Sequence, residues 1–419
     1  MRYDIHVRES ARVKIAEMAK DMSRWETKPR IGEEEEKHIR GAIRPFPHTT
    51  KADEFRIGGV DGSGDYPSFA YADSFVYVAS ASGTLYRTEA LHGLREEAAL
   101  NEPTLEFVWL PGEGDQAQER WLAAFTALAG LPVREFIERS DYREIKSRAT
   151  RVAHSVDDLL DDLILPRASD TANVGIQLRS TAELGTALRL ILREPACRYV
   201  LMDTTFSIPL VKTKRQSLFY EHVKRLCCVE ARKRDIAFLT LSKSHGLPAM
   251  DQIETFAAEV LGTPASSSLS ASGGEGRGEV AASLKTAEHW YMRLPIPGED
   301  TWSLSLTGER QIPPLGAVSY LFRLHRNTPV LRLDMDRKYW EANLRENSQA
   351  EIRLFGDLDY CSHDQRAFGY PYPIKACHDR ARLSNAEREA LKKQIIDAAV
   401  AAGMKRSLFR DVSAATGHS

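Results

Sequence analysis

Cysteine is scarce in this sequence: Cys197, Cys227, Cys228, Cys361 and Cys377 are the only five in 419 residues. The odd count and irregular spacing exclude a disulfide framework. The lack of any Cys-x-x-Cys pair argues against a structural zinc site. Buried free thiols are the expectation. Long apolar runs are missing too: nothing approaches the roughly 18–20 residues that a membrane helix needs. The first residues, MRYDIHVRESARVKIAEM, are charged throughout and lack the apolar centre of a signal peptide. A soluble, cytoplasmic protein is therefore expected, with no membrane partner. Charge of one sign is not in excess either. With 57 Lys+Arg against 59 Asp+Glu, the net charge is −2. That excludes a uniformly basic coat for nucleic acid but leaves room for a local basic groove. There is no internal repeat.

What is present is an ordinary globular composition, 42% hydrophobic, which excludes a disordered chain. Residues 1–50 read as an N-terminal helical segment, with helices over 2–25 and 33–40. The acidic run Glu33-Glu34-Glu35-Glu36 suits a helix start. Residues 51–384 read as one α/β domain, with a helical insertion at about 113–175 and a Ser/Gly-rich flexible loop at about 263–279. Residues 385–419 read as a C-terminal helix and tail. Within the domain, 55–60, 74–86 (as strand, turn, strand) and 104–110 are rich in Val, Phe, Tyr and Thr and predict an antiparallel meander. A helix is predicted to begin at Ser180, whose spacing to Glu183 fits a capping box. The apolar run 198–203 ends in Asp203 and predicts a buried strand. A basic helix at 216–234 and a second buried strand at 236–244 follow, which suggests a parallel strand–helix–strand unit. Strands at 319–324 and 329–334 and helices at 337–350 and 385–402 complete the pattern.

The order of meander, helices, acid-ended strand, helix and strand matches an RNase H-like mixed α/β core. In that fold carboxylates at neighbouring strand ends gather one or two divalent ions. Asp61 follows a β-run and precedes Gly62-Ser63-Gly64, a backbone that can approach a phosphate closely; an Asp-Gly turn between strands is the alternative. Asp203 closes the central strand, with a helix N-cap as its alternative. Glu183 lies on the preceding helix, where the capping-box role competes. Clustered Asp and Glu supply the oxygen ligands that Mg²⁺ or Mn²⁺ requires.

Taken together the motifs resemble the NurA nuclease family, which works with HerA-type hexameric ATPases. Val60-Asp61-Gly62-Ser63 is similar to the family's first motif. Leu201-Met202-Asp203-Thr204-Thr205 is similar to its central one, with Thr204 in place of the usual Gly. Leu241-Ser242-Lys243-Ser244 resembles its Ser-Lys motif. The run Gly369-Tyr370-Pro371-Tyr372-Pro373-Ile374-Lys375-Ala376-Cys377-His378 resembles its C-terminal signature, with Cys377 at the usual Ala position. The four occur in family order.

The resemblance implies Asp61 and Asp203 as metal ligands and His378 as a metal ligand or an acid/base near the scissile phosphate, with Glu183 as the helix acid and Glu194 as the competing choice. A buried helix histidine is the alternative for His378. Tyr370 would help position the site, and Lys243 would meet a phosphate or the attacking water. The resemblance further implies a manganese- or magnesium-dependent DNA nuclease, 5′–3′ exonuclease or single-strand endonuclease. Its partners would be DNA, a second copy of itself and a HerA-like ATPase, in end resection or in antiviral defence. A catalytically inactive DNA-binding adaptor of the same fold is the remaining alternative. The basic run Lys212, Lys214, Arg215, Lys224, Arg225, Arg232, Lys233 and Arg234 offers a DNA-tracking face or merely a solvated helix face. Tyr66 and Phe69 offer base stacking or core packing. His245 lies beside Lys243.

Overall fold

The computed structural model describes residues 8–24, 31–50, 53–64, 67–89, 93–97, 103–111, 116–132, 135, 171–193, 195–206, 218–243, 247, 249–262, 289–304, 313–314 and 316–410. Among them no helix is long and apolar enough to cross a membrane. The 263–279 loop and most of the 113–175 insertion lie outside the described residues.

Among the described residues twelve strands form one mixed sheet. Its centre is β2 (Arg56–Ser63), antiparallel to β4 (Ser74–Glu89), which is antiparallel in turn to β6 (Thr104–Pro111). On the other flank of β2 lies β7 (Tyr199–Asp203), parallel to it, and then β8 (Ala237–Ser242), parallel to β7. The order β6-β4-β2-β7-β8 is the RNase H-like mixed core that the sequence predicts. The β7–β8 connection carries the expected helix, here α5 (Leu218–Lys233).

The sheet extends beyond β8 through β11 (Leu331–Asp336), β10 (Ala317–Arg323), β9 (Trp290–Arg293) and β1 (Ile43–Pro45), all antiparallel. The N-terminal residues are thus not helical throughout. After α1 (Glu9–Arg24) and α2 (Glu33–Ala42), the chain enters this sheet as β1. Three short strands, β3 (Phe69–Tyr71), β5 (Gly93–Glu97) and β12 (Phe409–Arg410), finish the β4 side.

Two sequence expectations fail for physical reasons. The predicted turn inside 74–86 does not exist, and β4 runs straight for 16 residues. Its small residues Ala79–Gly83 are there because both faces are crowded. On one side Ala79 and Ala81 pack into the core with Ala182 and Leu184. On the other, the hydroxyls of Ser80 and Thr84 donate to the Ala381 and Pro373 carbonyls at 2.9 and 2.8 Å. The helix expected to start at Ser180 starts at Thr171. Ser180 is interior to α4 (Thr171–Leu192), so the capping-box reading of Glu183 falls. α4 is buried around most of its circumference, which removes the one-sided apolar stripe that marks a helix start and end. α3 (Gln116–Ala129) packs beside it.

The opposite face of the sheet carries α7 (Arg337–Asn343), α8 (Ser348–Tyr360) and α9 (Tyr372–Ala381). The predicted single helix over 337–350 is broken because Asn347 caps α8, accepting from the Ala350 N–H. Phe355, Leu358, Tyr320, Phe322 and Ile374 fill this second core layer. A third cluster under α2 and α6 (Met250–Leu261) closes the β1–β9 end. α10 (Asn385–Ala401) begins with a complete capping box between Ser384 and Glu387.

α9 lies almost on the backbone of β2. A Cβ at Gly59 would stand 2.4 Å from the Pro373 carbonyl carbon and oxygen and 2.8 Å from the Ile374 nitrogen. Those are backbone atoms and cannot rotate away. Gly59→Ala is therefore expected to cost about 1–3 kcal/mol, read as a lower urea midpoint, and to push α9 outward.

Candidate active site

Asp61 and Asp203 end up side by side because β2 and β7 are parallel. Their register ends on the pair Val60–Met202, so the two acids are the next pair at the strands' C-terminal ends. Asp61 is only 7% exposed. Its Oδ1 accepts from the Gly62 N–H at 2.8 Å, and its Oδ2 lies 2.7 Å from His378 Nδ1. Burial, and then the charge of Asp203, push the Asp61 carboxyl above its usual range, while His378 opposes that shift.

His378 is delivered by α9, through the same Pro373 and Ala381 contacts that fasten this helix to β4. The neighbouring Cys377 is fully buried, its Sγ 3.1 Å from Thr84 Oγ1. Burial pushes its thiol up to about 12, so it packs rather than reacts. All five cysteines are free and buried, as expected.

Glu183 reaches the same strand end from α4 and is 3% exposed. A Cβ at Gly62 would lie 2.8 Å from Glu183 Cγ and 2.9 Å from its Oε1. The glycine after Asp61 therefore makes room for a second carboxylate. One helical turn earlier, Arg179 Nε stands 3.3 Å from Glu183 Oε1. Glu194 lies outside the described residues.

From the other side come Tyr370 and Lys243. Lys243, just past β8, sets its Nζ 3.7 Å from the centre of the Tyr370 ring, a cation–π contact. Among the described residues the buried Tyr370 hydroxyl has no well-aligned hydrogen-bond partner, and it faces Asp203. Burial, with the Asp203 charge added, holds it well above the usual phenol range.

The segment after Asp203 is anchored from below. The Phe206 N–H donates to Asp334 Oδ2 at 2.8 Å, and Lys224 Nζ donates to the Phe206 carbonyl. Asp334, at 0% exposure, also accepts from Ser319 Oγ at 2.6 Å and from both Nε and Nη2 of Arg332 at 2.7 and 2.8 Å.

These contacts revise the basic run. Lys224 and Arg225 are buried, Arg225 against the Gly316 carbonyl, and Arg232 pairs with Asp336. Lys233 and Arg234 both pair with Glu230. Lys224 and Arg225 thus belong to the interior, while Arg232, Lys233 and Arg234 stay at the surface in ion pairs. Lys212, Lys214 and Arg215 lie outside the described residues, as do Tyr66 and His245. Phe69 packs in the interior against the Phe409 ring. Sequence reasoning missed Arg179 and Asp334. The spacing of Arg179 to Glu183 was a legible signal once the helix is known to start earlier. Asp334 had one too, since Arg332 stands two residues earlier on the same face of β11, but its bonds to Ser319 and the Phe206 N–H show only in three dimensions.

Three carboxylates and an imidazole, with a buried hydroxyl lacking a good partner, are the donor set of a hard divalent ion. The charge of Asp203 adds to the cost of ionising the buried Asp61, which a cation would relieve. The set is open: among the described residues, no three of its ligand atoms lie within 4.8 Å of one another.

No protein family matches the sequence, and neither does any curated protein. Solved structures are similar in shape at low identity. One is the NurA nuclease from Sulfolobus solfataricus, 13% identical with a TM-score of 0.47, over 94% of this chain and 96% of that one. Another is NurA bound to dAMP and manganese, 11% identical with a TM-score of 0.35, over 97% and 99%. A third is NurA with manganese, 11% identical with a TM-score of 0.36, over 95% and 99%.

Proposed function

We propose that this chain is a metal-dependent DNA nuclease. The observation that carries the reading is the pairing of Asp61 and Asp203 at adjacent ends of parallel strands, with His378 hydrogen-bonded to Asp61. Asp61, Glu183, Asp203 and His378 would hold Mn²⁺ or Mg²⁺. The ion, when bound, supplies an activated water and charge stabilisation at the scissile phosphate.

The protein's own residues do the rest. The Asp61–His378 contact fixes the ring so that Nδ1 faces the carboxylate and Nε2 is left for a metal or a proton. Tyr370 presents its hydroxyl beside Asp203, and Lys243, stacked on that ring, places a positive charge for the phosphate. The imidazole favours manganese over magnesium. The ordered motifs further support 5′–3′ exonuclease or single-strand endonuclease action. They also support a homodimer and a HerA-like hexameric ATPase partner, in end resection or in an anti-phage complex.

The test is cleavage of linear duplex and single-stranded DNA with Mn²⁺, with Mg²⁺ and with chelator. Expected is cleavage in Mn²⁺ that chelation abolishes and added Mn²⁺ restores. Cleavage undiminished by chelation would overturn the metal site. DNA binding with no cleavage in Mn²⁺, even with a cognate ATPase, would identify an inactive adaptor.

A further inference from the structure

The sequence lacks the cysteine pairs of a structural zinc site, yet the fold assembles a different ligand set away from the acidic strand ends. We propose that His48, His289 and Asp359 form a second metal site, for Zn²⁺, with His363 orienting the carboxylate. The three ligands come from distant parts of the chain. His48 precedes β2, His289 precedes β9, and Asp359 lies in the last turn of α8.

Their ligand atoms all lie within 4.8 Å of one another. His48 Nδ1 is 3.1 Å from Asp359 Oδ2, and His289 Nε2 is 3.6 Å from Oδ1. Two ligands of a tetrahedral zinc ion, each about 2.0–2.1 Å from the metal, stand about 3.4 Å apart. These pairs already straddle that separation. His363 Nε2 holds Oδ1 at 3.0 Å, and the Thr49 N–H donates to Oδ2 at 2.8 Å. Both carboxylate oxygens are thus oriented, as the partners of a ligating carboxylate usually are.

Charge points the same way. The Asp359 side chain is 0% exposed, and among the described residues its ion-pair partners are these three imidazoles. Among the described residues no lysine or arginine pairs with it. Buried charges in proteins are paired or coordinate metals, and an ion held between these imidazoles would supply the positive charge. Access exists from the outer side, because the His48 side chain is 49% exposed. The chemistry also separates the two sites. An imidazole-rich set suits zinc, whereas the carboxylate-rich set at Asp61 suits manganese or magnesium.

A zinc ion here would tie the segment before β2 to the start of β9 and the end of α8. It would also brace the stretch that leads to Tyr370. The Gly369 N–H already donates to the Ser362 carbonyl at 2.8 Å, and the Tyr372 N–H to the Cys361 carbonyl at 2.9 Å.

The test uses the full chain and reads metal directly, so it is independent of nuclease activity. Expected are stoichiometric zinc by elemental analysis after purification and, on exchange, the visible absorption of tetrahedral Co²⁺. The Asp61→Ala variant should keep both. His48→Ala and His289→Ala should weaken Zn²⁺ by more than about 100-fold, since even loss of an outer partner costs about 10–100-fold. Zinc should raise the melting temperature of the wild type but not of these variants. His48→Ala removes a half-exposed ring, so its fold is checked by unchanged circular dichroism. No Zn²⁺ or Co²⁺ uptake by the wild type would overturn the proposal. So would uptake that is equal in the wild type and in both folded histidine variants.

Discussion

Asp61→Ala should lower metal-dependent DNA cleavage by about a thousandfold or more, while the metal-free protein unfolds no more easily than the wild type. The first half follows from what Asp61 holds. It sits in the pair with Asp203 at the strand ends and carries the 2.7 Å contact that orients His378. Removing it takes away a proposed ligand and releases a second. Metal stabilisation of a phosphoryl-transfer transition state is worth several kcal/mol, and each 1.36 kcal/mol is about tenfold.

The second half follows from the sign of the carboxyl's shift. Burial and the Asp203 charge raise it despite His378. A carboxyl raised on folding contributes stability only at low pH, and loses that contribution as the pH rises through its folded value. At neutral pH the ionised Asp61 is therefore a cost to the metal-free fold, and the variant sheds it. Thermal melting in chelator, beside a cleavage assay in Mn²⁺, checks both halves. A variant that melts well below the wild type would show that Asp61 holds the structure together. A variant that cuts DNA at the wild-type rate would remove it from the site.

This site was legible in the sequence to the extent that it is built from strand ends. An acid closing an apolar run, such as Asp203 after Tyr199-Val-Leu-Met, announces both its strand and its exposed end. Asp61 was legible for the same reason, and His378 only through its ordered motif. What was hidden is what depends on partners far along the chain. Glu183 looked like a capping residue because the true start of α4 is masked by a helix buried on several sides. Lys224 and Arg225 looked like a basic face because charge density in one dimension says nothing about burial. β9 was missed because it is only four residues long, and α6 was missed although its apolar residues Ile253, Phe256, Ala257, Val260 and Leu261 recur at helical spacing. In the His48–His289–Asp359 group His48 lies more than 200 positions from the other two, and there is no spacing to read.

Asp334 is the second residue whose loss should have a large effect, this time on folding. It is wholly buried beside Arg332, which is 2% exposed, and both its oxygens accept from that guanidinium. Asp334→Ala deletes the charge and leaves the guanidinium in the core. Breaking one side of a buried pair costs about 3–5 kcal/mol, far more than the pair contributes against an apolar substitute. A marked fall in the urea midpoint, followed by tryptophan fluorescence, is expected. The double variant Arg332→Met, Asp334→Leu should recover much of that loss, because the buried guanidinium goes together with the carboxylate. Cleavage should not recover with it. The Phe206 N–H still lacks its acceptor, and Phe206 lies three residues beyond Asp203, so the loop that sets Asp203 stays loose. Recovery of both stability and cleavage in the double variant would show that Asp334 serves the core alone. Recovery of stability without cleavage would make it the residue that positions the Asp203 loop.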